Sequence, residues 1–204
     1  MDSDLEKMLA GQPHNPASPV LSKMSQLAHR LCRDYNLLTD TDKVEREAIL
    51  DKLFPDHKDG LYIQGPVNVD YGKFTHIGKE FFANFNFTVL DGGSVTIGDN
   101  VMCGPNVTLA TPIHPLLPSQ RNPHQQADGS QAALEYSKPI TIGNNCWLAS
   151  NVVVCAGVTI SDNCVIGAGS VVTKDIPSDS LAVGVPAKVI RKITEEDRLD
   201  NYPY

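Results

Sequence analysis

IGNNCWLASNVVVCAGVTISDNCVIGAGSVVT, residues 142–173, carries an apolar side chain at every sixth position, and a small or polar residue follows each one. Neither a helix, with a period of 3.6, nor an ordinary strand, with a period of 2, gives a strict period of six. Six residues make one short strand and a turn, so three such units close a coil, and stacked coils bury the apolar column. The six apolar positions are Ile142, Leu148, Val154, Ile160, Ile166 and Val172.

The same period is present earlier in the chain, where a slip of two residues divides it into two blocks. A chance run of valine- and glycine-rich strands would not keep the count over so many repeats. Cys146 and Cys164 are 18 residues apart, so we expect them to stack in adjacent coils as buried thiols and not as a disulfide. The earlier inward positions are Ile77, Ala83, Val89, Ile97, Cys103 and Leu109.

The N-terminal part of the chain has the pattern of helices. Ser18 and Pro19 fit the N-cap and first turn of one helix, and Asp42 with Glu45 fits a capping box at the start of a second helix. Steps of three and four between apolar residues predict which face of the first helix is buried. We expect that face to hold Val20, Met24, Leu27, Leu31, Tyr35 and Leu38.

Between Leu109 and Ile140 the count of six fails for about thirty residues. A loop of this length inside a compact repeat is usually functional. His114 stands where the loop begins, between Pro112 and Pro115, which restrict the backbone around it. An imidazole titrates near neutral pH and suits a general base. From the loop position alone, a solvent-exposed or packing histidine remains the alternative.

Several motifs resemble those of known enzymes. IGDNVMCGPNVTLA (97–110) and VTISDNCVIGAGSVVTKD (158–175) resemble the hexapeptide-repeat acyltransferases. MLAGQPHNPASP (8–19), FFANFNFTVLD (81–91) and AVGVPAKVIRKI (182–193) are similar to the maltose and galactoside O-acetyltransferases, and the likeness extends over nearly the whole chain. It implies a mainly β fold, a left-handed parallel β-helix with an N-terminal helical cap. The left hand comes from the resemblance and not from the period.

Combining the patterns with this resemblance gives the expected organisation of the chain. We expect a helical cap over residues 1–57 and a β-helix over 58–190, with an excursion loop at about 110–139. A C-terminal tail would follow at 191–204. The resemblance also implies a homotrimer with sites between subunits.

The resemblance implies an acetyl-CoA-dependent O-acetyltransferase that acts on a sugar hydroxyl of the maltose, glucose or galactoside type. Acetyl-CoA would be the co-substrate, and no metal would be required. The family motif assigns His114 as the general base of a direct attack. It assigns the amide of Asn84 as a donor to an oxyanion or a sugar oxygen.

Carboxylates and amides bind sugar hydroxyls, and Asp70, Asp91 and Glu135 are the acidic candidates. Each of the three is equally compatible with a solvated acid in a turn. In AGQPHNP (10–16), His14 and Asn15 depart from the pattern AG-x-x-Y-D that is usual in the family, so Asn15 would contact the acceptor without a charge. Trp147 points outward from the repeat and, by resemblance, lies beside the acceptor or at a subunit interface.

For the donor, residues 174–192 hold four cations and two acids, a local excess of positive charge in a chain whose formal net charge is −7. Alone, such a cluster is more often a solvated face. The resemblance assigns a groove between coils to the pantetheine arm and the cations to the phosphates. The implied acetyl-CoA contacts are Ser150, Ala168, Thr173, Lys174, Lys188 and Arg191.

Composition restricts the partners. An acidic chain argues against nucleic acid, and no apolar run approaches the length of a membrane span. The acidic N-terminus lacks an apolar signal region, and the five cysteines include no CxxC pair. We therefore expect a cytoplasmic protein with no nucleic-acid or membrane partner.

Other functions remain as alternatives. The acceptor could instead be an antibiotic such as chloramphenicol or streptogramin, a serine, or an oligosaccharide. A zinc carbonic anhydrase would need three histidines at one metal, and His76, His114 and His124 lack that spacing. A non-catalytic β-helix would not need a histidine held between two prolines.

Overall fold

The computed structural model describes residues 3–125, 129 and 131–199. Part of the expected C-terminal tail, residues 200–204, therefore lies outside the described residues. The described helices are α1 (Ser3–Leu9), α2 (Pro19–Asn36), α3 (Lys43–Leu53) and α4 (Pro118–Arg121), followed by a 3-10 turn at Glu195–Asp197.

Most strands belong to three faces of a β-helix of about six coils. The first face contains β1 (Asp56–His57), β4 (Thr75–Ile77), β7 (Val95–Ile97), β14 (Ile140–Ile142) and β17 (Thr159–Ile160). The second contains β2 (Tyr62–Ile63), β5 (Phe82–Ala83), β8 (Met102–Cys103), β15 (Trp147–Leu148), β18 (Val165–Ile166), β20 (Ser180–Gly184) and β21 (Ala187–Lys192). The third contains β3 (Val67–Val69), β6 (Phe87–Leu90), β9 (Thr108–Ala110), β16 (Val153–Val154) and β19 (Val171–Val172).

The excursion loop has strands of its own. In it β10 (Pro112–Ile113) pairs antiparallel with β13 (Tyr136–Ser137), and β11 (His124–Gln125) pairs with β12 (Gln131–Ala132). The loop therefore leaves the third face and returns to the first as a folded hairpin.

Parallel pairing keeps the hexad positions in register from coil to coil. Leu148, for example, pairs with Cys103 on one side and Ile166 on the other. All twelve inward positions expected from the period are buried, which confirms the mainly β fold and its parallel β-helix. Cys146 and Cys164 are buried free thiols in adjacent coils, as predicted.

The corners between faces need residues that tolerate a left-handed backbone. Asn86, Asn106 and Asn151 all have φ near +60° at the corner between the second and third faces. Asparagine adopts this conformation more readily than most residues. Their side chains also pair along the helix axis, with Nδ2 of Asn86 donating to Asn106 at 2.8 Å and Nδ2 of Asn106 to Asn151 at 3.0 Å.

One corner departs from the hexad count in three successive coils. Between the third and first faces, the inward positions Val69 and Ile77 are eight residues apart, as are Val89 and Ile97, and the excursion loop separates Leu109 from Ile142. At the other corners, successive inward positions stay six residues apart. We call this place the insertion corner, because it collects all the extra chain of the first three coils.

The helical cap is joined to the first coil by polar side chains. The phenol of Tyr35 donates to the carbonyl of Ile63, and Asn36 exchanges two hydrogen bonds with the backbone of Val67 at 2.8 and 2.9 Å. The guanidinium of Arg46, 6% exposed, donates to the carbonyl of Ile63 at 2.6 Å and to Tyr35 at 2.9 Å. These bonds satisfy backbone groups that the end of a β-helix would leave open.

The predicted buried face of α2 was wrong by about one position. Among its apolar residues only Tyr35 of the predicted stripe is buried, and Leu27 is 53% exposed. The helix instead buries Leu21, Ala28 and Cys32. Small side chains let the helix approach the first coil closely, and a count of large apolar residues does not reveal them.

Ser18 and Asp42 are the N-cap residues, as predicted, but neither makes the side-chain hydrogen bond of a cap. Pro19 begins α2 as predicted, but the Ser18 hydroxyl makes no capping hydrogen bond. The Asp42 carboxylate makes none either, because it accepts from the backbone and hydroxyl of Thr39 at 2.7 and 2.8 Å. Within the described residues, no helix has the length and apolar character to cross a bilayer.

The inward column should dominate the stability. Replacement of Ile160 by alanine removes a fully buried side chain and should lower the free energy of unfolding by about 2–5 kcal/mol. The adjacent Thr159 points outward, so Thr159→Ala should cost under about 1 kcal/mol. Urea unfolding at one protein concentration compares them. Equal losses in the two variants would contradict the assignment of inward and outward positions.

Candidate active site

The insertion corner brings together several of the predicted site residues. Asp70 follows the third-face strand β3, and His114 follows β10 where the excursion loop departs. Glu135 precedes the returning strand β13. A backbone hydrogen bond from Lys138 to Thr111, 3.1 Å long, closes the base of the loop and holds its two ends together. The local fold therefore delivers a histidine and two carboxyl groups to one place.

His114 is half-exposed and lies beside Glu135. Its Nδ1 is 3.4 Å from the carbonyl oxygen of Leu134, and its Nε2 is 3.7 Å from Oε2 of Glu135. A carbonyl can only accept, so this contact favours the proton on Nδ1 and leaves a lone pair on Nε2. The His114 side chain is 53% exposed and that of Glu135 is 14% exposed. Nε2 can therefore receive a proton from a bound molecule.

A second histidine faces the same carboxylate from the cap. His14 is 1% exposed, and its Nε2 lies 3.8 Å from Oε1 of Glu135. Burial raises the pKa of Glu135, and its electrostatic interactions with His14 and His114 act in the opposite direction. Glu135 is thus placed between two imidazoles, one on each oxygen.

Asp70 is a carboxyl group that resists ionisation. Burial, together with the negative charges of Asp91 and Glu135, raises the pKa of Asp70 to about 7. Burial, together with the negative charges of Asp70, Glu135 and Asp91, raises the pKa of the neighbouring Tyr71 phenol. Near neutral pH Asp70 can therefore offer either a proton or an acceptor to a ligand hydroxyl.

Asp91 does not fit the role of a sugar ligand that its sequence position suggested. Its side chain is fully buried and accepts hydrogen bonds of 2.8–3.1 Å from the backbone of Tyr71, Gly72 and Phe74 and from the hydroxyl of Thr75. Burial raises the pKa of Asp91 and these donors lower it. With four protein donors and no exposed surface, the carboxylate organises the insertion corner instead.

Asn15 lines a cleft between the cap and the excursion loop. The cleft encloses about 770 Å³, and His14, Ser18 and Leu134 also contribute to it. Oδ1 of Asn15 accepts from the backbone of Ala17 at 3.1 Å, so its amide nitrogen is the group left for a ligand. His14 Nε2 and Ser18 Oγ are buried without a hydrogen-bond partner in the described part of the chain.

Asn84 lies at a different corner, between the second and third faces. It follows β5, and its Oδ1 accepts from the backbone of Phe85 at 2.7 Å. Its Nδ2 has no partner within the described residues and remains available as a donor. The structure does not bring Asn84 and His114 of one chain together, because the third face separates their corners.

Trp147 points outward on the second face and is 48% exposed. Strand pairing places it in register with other outward apolar residues, so the face carries a continuous apolar ladder. An exposed stripe of this kind marks a binding or subunit surface. The ladder consists of Tyr62, Phe82, Met102, Trp147, Val165 and Leu181.

Four of the six residues expected to bind acetyl-CoA lie at the two ends of the third face. Ser150 and Ala168 share one corner of adjacent coils, where the backbone of Gly169 donates to the carbonyl of Ser150 at 2.9 Å. Thr173 and Lys174 follow β19 at the opposite corner and are exposed. An extended ligand along this face would contact both pairs.

The two outer cations differ in their availability. Lys188 is exposed on β21. The guanidinium of Arg191 makes a bidentate ion pair with Asp197 at 2.7 and 2.8 Å. To bind a phosphate, the Arg191 guanidinium would have to break its ion pair with Asp197 or share the phosphate with other cations.

The described residues contain no group of three histidine, cysteine or acidic side chains arranged to hold a metal ion. His76 is paired with Asp56, with 2.6 Å between Nδ1 and Oδ2. His14 is the residue that the sequence-based set of candidates missed. The only signal for it in the sequence was a histidine in AGQPHNP where the family pattern has tyrosine.

Comparison with known proteins agrees with this architecture. Residues 7–58 match the maltose acetyltransferase hexapeptide capping motif, and residues 139–174 match the bacterial transferase hexapeptide of six repeats. The galactoside O-acetyltransferase of Escherichia coli K12 is 40% identical over 193 residues, which cover 95% of this chain and 91% of that protein.

Two solved structures extend the similarity to three dimensions. A galactoside acetyltransferase in complex with coenzyme A has a TM-score of 0.85 at 40% identity, covering 95% of this chain and 92% of that one. A maltose O-acetyltransferase from Clostridium difficile 630 has a TM-score of 0.80 at 40% identity, covering 94% and 98%. The protein is thus of the hexapeptide-repeat acyltransferase class. Within that class, the chain belongs to the maltose and galactoside O-acetyltransferase family.

The raised pKa of Asp70 predicts a measurable effect of pH on stability. An ordinary carboxyl group ionises near pH 4 in the unfolded chain, whereas folded Asp70 keeps its proton to about pH 7. The free energy of unfolding of the wild type therefore falls as pH rises from 4 to 7, because the folded state disfavours the ionised form of Asp70. Asp70→Asn should be more stable than wild type at pH 8, by roughly 1–2 kcal/mol, and the gain should vanish near pH 4.

Urea unfolding at pH 4.5 and pH 8, at one protein concentration, tests this expectation. Glu196→Gln, which changes an exposed acid, serves as the control and should show no such trend. A stability difference between Asp70→Asn and wild type that does not grow with pH would mean that Asp70 is not held in its neutral form.

Proposed function

We propose that this chain transfers an acetyl group from acetyl-CoA to a hydroxyl of a sugar acceptor of the maltose, glucose or galactoside type. The observation that carries the proposal is the His114–Glu135 pair at the insertion corner, a half-exposed imidazole beside a shielded carboxylate. The family to which the chain belongs supports acetyl transfer. The coenzyme A complex of the related galactoside acetyltransferase supports acetyl-CoA as the donor.

The proposed reaction is a direct transfer. Nε2 of His114 takes the proton of the sugar hydroxyl, and the oxygen attacks the carbonyl carbon of the thioester. The Asn84 amide donates to the oxyanion of the tetrahedral intermediate. The carbon–sulfur bond then breaks, and the leaving thiolate takes the proton from His114. The products are an O-acetyl ester and the free thiol of CoA.

In this mechanism Glu135 stabilises the imidazolium that forms during the attack, because its carboxylate lies against Nε2. Asp70, Asn15 and Trp147 would bind the acceptor. Ser150, Ala168, Thr173 and Lys174 would bind acetyl-CoA, with Lys188 and Arg191 near its phosphates. Five free cysteines and a requirement for acetyl-CoA support a cytoplasmic location.

We further propose a homotrimer with its sites between subunits. Asn84 and His114 lie at opposite corners of the third face of one chain, so a shared site needs Asn84 from one subunit and His114 from the next. The apolar ladder through Met102 and Trp147, each about half-exposed, supports burial against a neighbour.

Replacing the proposed base tests the function directly. His114→Ala should lower sugar-dependent release of CoA thiol by about a hundredfold or more. The acceptor panel would hold glucose, maltose, galactosides, serine and chloramphenicol. His29→Ala, on the exposed side of α2, is the control and should leave turnover unchanged. Activity on serine or chloramphenicol alone would replace the sugar as acceptor, and full sugar activity in His114→Ala would remove the base assignment.

Mixing two inactive variants tests the shared site. In a trimer, each mixed assembly of Asn84→Ala and His114→Ala subunits would contain one interface with both native residues. Random mixing in equal amounts should therefore restore about a quarter of wild-type activity. Coexpression of the two variants, with each expressed alone as the control, supplies the measurement. No recovery in proven mixed trimers would place Asn84 and His114 in the same subunit's site or exclude Asn84 from it.

A further inference from the structure

His14 is held in one orientation under the cap. Its Nδ1 lies 3.0 Å from the carbonyl oxygen of Gln12, and its backbone forms a two-way bridge with Glu135, with N–O distances of 2.9 and 3.1 Å. The ring is 1% exposed. Because a carbonyl can only accept, Nδ1 carries a proton. The protonation state of the ring therefore depends on whether Nε2 also carries a proton.

Nε2 of His14 faces the Glu135 carboxylate at 3.8 Å and has no hydrogen-bond partner in the described residues. With a lone pair on Nε2, the contact would be favourable only with a proton on Glu135, and His114 would then have no counter-charge. With a proton on Nε2, the same geometry becomes an attraction between opposite charges. The two oxygens of Glu135 divide between the rings, Oε1 towards His14 and Oε2 towards His114.

We propose that His14 is a positioning residue of the active site, which holds Glu135 as a carboxylate against the base His114 and so couples the helical cap to catalysis. The proposal rests on the proposed function for His114. His14 itself touches neither the base nor, in this scheme, the reacting atoms. It acts through Glu135.

The other charged groups around Glu135 set the direction of the effect. Asp70 and Tyr71 approach from the turn after β3, His114 lies on the loop, and Asp4 and Lys7 of α1 line the cleft beside His14. Asp70 and Glu135 oppose each other's ionisation, since the charge of Glu135 is among the causes that raise the pKa of Asp70. With burial acting in the same direction, His14 and His114 are the groups that favour the charged form.

Loss of the His14 charge should therefore raise the pKa of Glu135 further. Fewer molecules would hold an ionised Glu135 at a given pH, and the imidazolium of His114 would lose its counter-charge during the attack. The acid limb of the pH profile of kcat/KM for the sugar should move to higher pH.

The test compares His14→Asn, which retains a short amide donor, with Glu135→Gln and the double variant. His76→Asn removes another imidazole paired with a carboxylate, on the outward side of the first face, and is the matched control. We expect His14→Asn to lower kcat/KM for the sugar about tenfold at pH 7 and to shift its acid limb upward. The KM for acetyl-CoA should stay within about twofold of wild type. In the Glu135→Gln background, His14→Asn should have no further effect.

Two kinetic outcomes would overturn the proposal. One is an equal loss at every pH that also appears in the Glu135→Gln background, which would indicate a purely structural role. The other is an unchanged pH profile. If His14→Asn does not fold, His14→Gln, which places a neutral donor nearer to Glu135, gives the same comparison.

A measurement without turnover separates this inference from the proposed function. Nitrogen-15 NMR of the histidine rings at pH 7 should show a proton on Nε2 of His14 in wild type and its loss in Glu135→Gln. An unprotonated Nε2 in wild type would sink the inference even if sugars are acetylated. A protonated Nε2 in a protein that acetylates nothing would leave the His14–Glu135 pairing intact and remove only the proposed function.

Discussion

Burial of the inward column is the constraint on which the rest of the structure depends. Each coil must place one side chain from each of three faces against the coils on either side, because that column is the core of the β-helix. An inserted residue within a face would turn the following side chains outward and open the core. Extra chain is therefore tolerated only at corners. In this protein the first three coils place it at the same corner, and the site residues of the cap, the loop and the turn after β3 meet there.

The insertion corner needs its own internal support, since longer turns leave backbone groups without partners. Asp91 provides it for the turn between β3 and β4, where three backbone N–H groups donate to one buried carboxylate. The excursion loop is held by the Thr111 hydroxyl, which donates to Leu90 and accepts from Gly93, each at 2.7 Å. These hydrogen bonds fix the backbone from which Asp70, His114 and Glu135 project.

The hexad period was enough to predict the fold, because one repeated physical demand determines every coil. The interruption of the period also located the excursion loop. Other features could not be read from the sequence. The buried face of α2 depends on Ala28 and Cys32, whose small size matters only against a particular surface. Asp91 resembled a ligand residue until its four protein donors became visible, and the ion pair between Arg191 and Asp197 was likewise not evident from the sequence. His14 is 121 residues from Glu135 in the chain, and a bridge between the cap and the loop joins them only in the folded protein.

The insertion corner carries acidic groups at one end and an exposed lysine at the other, a distribution that suits two substrates of different charge. Asp70 stands at its first coil, near Glu135, and the exposed Thr173–Lys174 pair stands four strand spacings away, about 19 Å along the axis. The acid-rich end would repel phosphates and suits a neutral polyol, whose hydroxyls can donate to carboxylates. The basic end suits an anionic group. Under the proposed function, a donor with phosphates at one end and a thioester at the other would satisfy both ends with its neutral acyl terminus towards His114. The charge pattern thus favours one orientation of the donor before any specific contact is made.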